Sequence, residues 1–194
     1  MGRTAGVKTW ETDEMTYPTV FRNTRKSERA FLADYRPEQA GWSDSTGTTL
    51  LMYALRNPDM SARIAIAGRL IDDGADTAVE TSDHVNALHV MLGSMTHDFE
   101  REPALLQRLL DGGADVNLCA GQRTGTPIQA LTRNFTFSDA MLAPFYDVLF
   151  ARPELDVTSQ SRTGSSVIDG ARAIGARRAD LLARCEAHLA RVAA

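Results

Sequence analysis

Leu109-Leu110-Asp111-Gly112-Gly113-Ala114-Asp115-Val116-Asn117 is the stretch whose reading decides the fold. Two leucines run into a carboxylate, a glycine pair and a small residue, the pattern of a helix that stops. Glycine just past the last turn takes the left-handed conformation at no steric cost. The stretch recurs. Ile71-Asp72-Asp73-Gly74-Ala75-Asp76 matches it at an offset of 39 residues, and Phe150-Ala151-Arg152-Pro153-Glu154-Leu155-Asp156 is a weaker echo. A second marker keeps the same phase: Thr46-Gly47-Thr48-Thr49-Leu50, Thr124-Gly125-Thr126-Pro127-Ile128 and Thr163-Gly164-Ser165-Ser166-Val167, with Asn86-Ala87-Leu88-His89 filling the gap. A fixed period of this length is the signature of a repeat array. Four units result, at residues 44–79, 80–118, 119–158 and 159–194.

Each unit reads as two helices. Thr48, Asn86, Thr126 and Ser165 are N-cap residue types, whose side-chain oxygens accept from first-turn amides, and Pro127 stands where a missing N–H costs nothing. The second helices carry apolar residues at helical spacing: Ile64, Ala67, Leu70 and Ile71; Leu105, Leu106, Leu109 and Leu110; Met141, Phe145, Val148 and Leu149; Leu181, Leu182, Cys185 and Leu189. No such helix buries its stripe alone, so the units must stack, and the expected class is all-α. Residues 19–43, with a helix from Ser27 to Tyr35 that Pro37 would stop, are expected to cap the stack. Residues 1–18 are expected to form a flexible N-terminal extension.

These residues resemble the ankyrin repeat family. Residues 109–117 match its Leu-Leu-x-x-Gly-Ala-Asp-Val-Asn, and Thr126-Pro127-Ile128 and Leu88-His89 match its Thr-Pro-Leu-His. The resemblance covers roughly residues 44–194. It is specific in the two central units and looser in the outer two, where Ser165-Ser166-Val167-Ile168 lacks Pro and His. The spacing of 39 exceeds the usual ~33. The surplus is expected between the two helices, at residues 57–59, 96–100 and 134–138, in a variant array with longer first helices. The resemblance implies a solenoid in which turns between units project as fingers beside a concave surface that grips proteins. It makes His89 a structural residue that bonds the neighbouring turn. It places partner contacts in Thr77 to Val85, Leu118 to Thr124 and Thr158 to Thr163, with Glu80, Ser82, Asp83, His84, Val85, Gln122, Arg123, Gln160 and Arg162 as candidates. Val85, Leu118, Phe135 and Phe137 are candidate apolar anchors.

Charge is uneven along the chain. Residues 1–71 carry 10 Lys/Arg against 8 Asp/Glu, residues 72–118 carry 2 against 10, and residues 119–194 carry 9 against 7. The acidic middle repels phosphate backbones and favours a basic protein surface, which disfavours nucleic acid. Arginine outnumbers lysine 19 to 2, a bias that points to a bacterial genome rich in G and C. No apolar run approaches the ~20 residues of a membrane span, and no apolar signal region follows Met1, so a cytoplasmic location is expected.

The same sequence offers no catalytic constellation. His84, His89, His97 and His188 make no ligand pair at i, i+4 and no triad; His84 and His97 read as loop residues and His188 as a late-helix residue. Cys119 and Cys185 are too far apart in sequence for a metal cluster and read as reduced core thiols. Gly112-Gly113 lacks the Lys and Ser/Thr of a phosphate loop. The sequence therefore predicts a non-enzymatic protein-interaction module without cofactor or metal, monomeric when unbound, with one partner of basic surface. Its sharpest form is an immunity or antitoxin protein that neutralises a cognate toxin. A secreted host-directed effector and a general cytoplasmic adaptor are the alternatives.

Overall fold

The computed structural model describes residues 18–121, 124–161 and 164–193. Helix makes up 55% of them, and no strand occurs among them. The expected extension, residues 1–18, lies outside the described residues except for Pro18. The chain is thus all-α, as its periodicity predicts.

Two short helices open it: α1 (Thr19–Asn23), which the sequence reading missed, and α2 (Glu28–Asp34), capped by Ser27. Four helix pairs follow: α3 (Leu50–Leu55) with α4 (Met60–Asp72), α5 (Ala87–Leu92) with α6 (Glu102–Asp111), α7 (Pro127–Thr132) with α8 (Asp139–Phe150), and α9 (Val167–Ile174) with α10 (Ala179–Val192). In one layer α3 packs on α5 and α5 on α7; in the other α4 packs on α6, α6 on α8 and α8 on α10. The first helices are short, six residues in α3, α5 and α7 and eight in α9, so the expectation of longer first helices fails.

Local chemistry sets the boundaries. Asn86 accepts from the His89 amide at 3.2 Å, and the Asp59 carboxylate accepts from the amides of Ser61 and Ala62. Two expected caps move by one residue. Thr49, not Thr48, caps α3, its hydroxyl accepting from the Met52 amide at 3.1 Å, because Thr48 is drawn into the preceding turn by Asp44 and Thr46. Ser166, not Ser165, caps α9, because the Ser165 carbonyl closes a turn on Ser161. At the other ends, Gly74 and Gly113 have φ of 89° and 100°. The Ala75 amide bonds the Leu70 carbonyl and the Ala114 amide the Leu109 carbonyl, with Ala75 and Ala114 buried beneath. This is the Schellman closure, which needs a left-handed residue and so selects glycine.

The core is continuous through the stack, and each fully buried leucine, such as Leu70, Leu106, Leu109 or Leu149, contributes about 1.5–3 kcal/mol. Met141 departs from its expected stripe and stands 41% exposed; Leu142, Phe145 and Tyr146 fill the core there.

Two arginines are among the most deeply buried side chains. Arg63 of α4 donates to the carbonyls of Asn57 and Thr96 and to Glu102, 2.7 Å away and fully buried. The second Glu102 oxygen meets His97 Nδ1 at 2.7 Å, and Phe99, Phe137 and Phe145 surround that ring. His97 is therefore a loop residue by backbone only, and Phe137 is core rather than an exposed anchor. Arg178, before α10, donates to the carbonyls of Thr132, Asn134 and Phe137 and lies 3.4 Å from Asp139. Arg63 and Glu102, like Asp139 and Arg178, are 39 residues apart, one repeat. Buried charges survive only when paired in this way.

Candidate protein-binding surface

Turns project between the helix pairs along the edge opposite these arginines. Ser43 bridges to Thr49, Ala120 to Gly125, and the Ser161 amide bonds the Ser165 carbonyl. The turn at residues 80–86 is closed by the Thr81 amide on the Val85 carbonyl, the His84 amide on the Thr81 carbonyl, and the Val85 amide on the Thr81 hydroxyl. His84 takes φ of 57°, a left-handed conformation that these bonds hold in place. The turn also leans on its neighbour: the Ser82 amide donates to the Thr46 carbonyl at 3.0 Å. A Cβ on Gly47 would lie only 3.3 Å from the Thr81 backbone.

Side chains from the first helices fix the spacing of the turns. His89 Nδ1 accepts from the Asn86 amide, and Nε2 donates to the Gly125 carbonyl at 2.9 Å. Gln129 occupies the matching position in α7 and donates to the Ser165 carbonyl at 2.9 Å, again 36 residues ahead. Burial holds the His89 imidazole below its ordinary pKa, because charging it would strand a cation away from water. With both nitrogens engaged, His89 is a strut rather than a base.

Of the nine candidate contact residues, the structure places Glu80, Ser82, Asp83 and His84 together, all exposed, on one turn, with Val85 half-buried at its base. Glu80 and His84 meet at 3.1 Å. Gln160 is exposed on the last turn, whereas Gln122, Arg123 and Arg162 lie outside the described residues. The anchors diverge: Phe135 is 57% exposed, but on the inter-helix edge, while Leu118 is half-buried near the turns.

Beside the 80–86 turn lies an open groove of about 400 Å³, lined by Leu55, Arg56, Val85, His89, Val90, Gly93, Ser94 and Thr124. Sequence reasoning named Val85 and the turn that ends at Thr124 but missed the residues contributed by α3 and α5 and their C-terminal ends, Leu55, Arg56, Val90, Gly93 and Ser94. Arg56 stacks over the Tyr53 ring at 5.6 Å, and Arg133 at the end of α7 donates to the Thr124 carbonyl at 2.9 Å.

The acidic middle of the chain is less available than its count suggests. Asp72 pairs with Arg108, Asp111 with Arg152 and, further on, Asp147 with Arg184, each at 2.6 Å, a ladder linking successive second helices. Glu102 is buried, and Asp73 and Asp98 hold Arg69 and Arg101. Asp83, on the projecting turn, has no ion-pair partner among the described residues. The Cys185 thiol is buried and pushed up to about 12, which suits packing and not nucleophilic chemistry. No group of three or more potential metal ligands forms among the described residues, and no helix there is long and apolar enough to cross a membrane.

No protein-family model and no curated protein matches the chain. Among solved structures it is similar to a functionally unknown protein from Leptotrichia buccalis C-1013-b, with 18% identity and a TM-score of 0.71 over 90% of this chain and 94% of that one. At that identity the likeness speaks for the fold alone.

Proposed function

We propose that this chain is an ankyrin-type solenoid acting as a non-enzymatic module that grips one protein partner, most sharply as an immunity protein neutralising a cognate toxin in a bacterium. Support for the ankyrin reading comes from the Schellman-closed second helices and from the struts His89 and Gln129, each reaching the next turn. The observation that carries the binding reading is the 80–86 turn. It is immobilised by its own hydrogen bonds, yet it exposes Glu80, Ser82, Asp83 and His84 beside an open groove. A surface ordered before contact loses little entropy on binding. Two carboxylates on that turn fit a partner with a basic patch.

The test is co-purification of the tagged chain from its native host at moderate salt, which is expected to yield a stable one-to-one partner. Against that partner in surface plasmon resonance, Glu80→Lys with Asp83→Lys is expected to slow association, and salt to weaken wild-type binding mainly through its on-rate. An unchanged on-rate removes this turn from the interface. For the immunity form, the partner expressed alone should arrest growth and co-expression should restore it. A harmless partner removes the immunity form and leaves the adaptor and effector forms.

A further inference from the structure

Exposed apolar side chains gather on the inter-helix edge. Among the described residues the large ones left exposed are Leu32, Met95, Phe135, Met141 and Val192, and three of these five stand there: Met95 at 72%, Phe135 at 57%, and Met141 in the first turn of α8. They follow the order of the units. Met95 lies in the loop of the second unit, its Sδ 3.8 Å from Asn134 in the loop of the third, which also carries Phe135. On the far side of Phe135, between the loops of the third and fourth units, opens a half-enclosed cavity of about 390 Å³ whose lining includes Phe135, Ala140, Ala176 and Arg177. Other polar groups of that lining are engaged: Ser138 caps α8, the Asp139 carboxylate accepts from the Tyr146 hydroxyl and two α10 amides, and Arg178 donates to carbonyls. What remains for an occupant is an aromatic ring, two methyl groups, the Thr136 hydroxyl and the exposed Arg177 guanidinium.

We infer that this strip joins two copies of the chain about a two-fold axis through Phe135, each Met95 entering the other copy's cavity. Across such an axis residue i meets j and j meets i, so the patch must complement itself. It does so in shape and in charge. Met95 and the cavity stand one unit to either side of Phe135, about 8–10 Å each way, so a half-turn lays each on the other. An unbranched thioether suits an irregular cavity. Glu100, in the loop with Met95, and Arg177, beside the cavity, are both exposed, and neither meets an opposite charge among the described residues. The same half-turn sets Glu100 of each copy beside Arg177 of the other. The strip is also fixed before contact: Arg63 holds the Thr96 carbonyl next to Met95, and Arg178 holds the carbonyls of Asn134 and Phe137 on both sides of Phe135 and Thr136. Three loops at that spacing present roughly 300 Å², short of the ~800 Å² per partner of a stable interface, so the dimer is weak, with a Kd of about 0.1 mM. The turn edge stays open in both copies, and the inference does not depend on the protein-binding reading.

Sedimentation velocity of the full chain at low salt, from about 10 μM to about 1 mM, is expected to show the 21.2 kDa monomer passing into a dimer. Phe135→Ser should weaken the dimer at least about tenfold and, because the ring is exposed, leave the circular dichroism spectrum unchanged. Glu100→Arg and Arg177→Glu should each weaken it about three- to tenfold by setting like charges together. An equimolar mixture of these two variants should recover wild-type association, because a two-fold pair of the unlike chains restores both contacts. A monomer at every concentration overturns the inference. So does a dimer indifferent to Phe135→Ser, or a mixture that associates no better than its components. A monomer whose Phe135→Ser variant also loses a co-purified protein overturns it too, and gives the strip to that protein.

Discussion

The two long edges of the stack use charge in opposite ways. Along the inter-helix edge, Arg63, Glu102, His97 and Arg178 are buried and bind loops to one another. Along the turn edge, the cross-unit bonds come from neutral groups, His89 to Gly125 and Gln129 to Ser165, and the carboxylates of Glu80 and Asp83 are left at the surface. A buried ion pair is costly to break and contributes shape rather than contact; an exposed charge contributes little stability and remains free to meet a partner. The molecule thus divides holding from meeting between its edges.

The largest test of that division is Glu102→Ala. It strands the Arg63 guanidinium, and a urea titration should show a loss of about 3–5 kcal/mol. Arg63→Met with Glu102→Leu should recover much of it; an equally damaged double variant would mean that the pair is needed for reasons other than charge. Next is Gly113→Val. At φ of 100° a β-branched residue is strained even though its Cβ meets only Ala78 at 3.6 Å, so the loss should exceed the ~1 kcal/mol of a propensity change. A wild-type melting point would show that the helix end is not closed as described.

A smaller effect separates charge from strut. His89 is held below its ordinary value of 6.5, so the unfolded chain takes up a proton before the folded one does. Stability is then complete above pH 6.5 and falls with pH down to the folded-state value. His89→Gln, which copies Gln129, should leave stability at pH 8 within about 1 kcal/mol of wild type and remove this part of the pH dependence. A variant that keeps the slope would assign it to another group. Smallest is Arg108→Gln in the surface ladder, whose denaturation midpoint in moderate salt should be indistinguishable from wild type.

The elements that local chemistry dictates were readable in the sequence. Gly74 and Gly113, the cap Asn86, and the stripe through Leu105, Leu106, Leu109 and Leu110 all act over a few residues. Where two adjacent hydroxyl residues compete, at Thr48–Thr49 and Ser165–Ser166, cap type alone could not choose, because the turn's hydrogen bonds decide. The buried polar group stayed hidden for another reason: Arg63, His97 and Glu102 look like surface residues, and Arg63 and Glu102 find each other across 39 residues. The 39-residue offset is visible in the sequence, but a buried charge pair at that spacing leaves no local signal. The groove leaves none either, since its Arg56 falls outside every stripe.

The pairing of Arg63 with Glu102 has a consequence for how such a chain can grow. Repeat proteins lengthen by copying a unit, and a copy inherits both of its faces. A duplicate of residues 80–118 placed after the original would set a second glutamate behind Glu102 with no arginine to receive it, and one placed after residues 119–158 would part Asp139 from Arg178. The order of units is written into their interfaces, so this array behaves as a fixed sentence rather than as beads on a string.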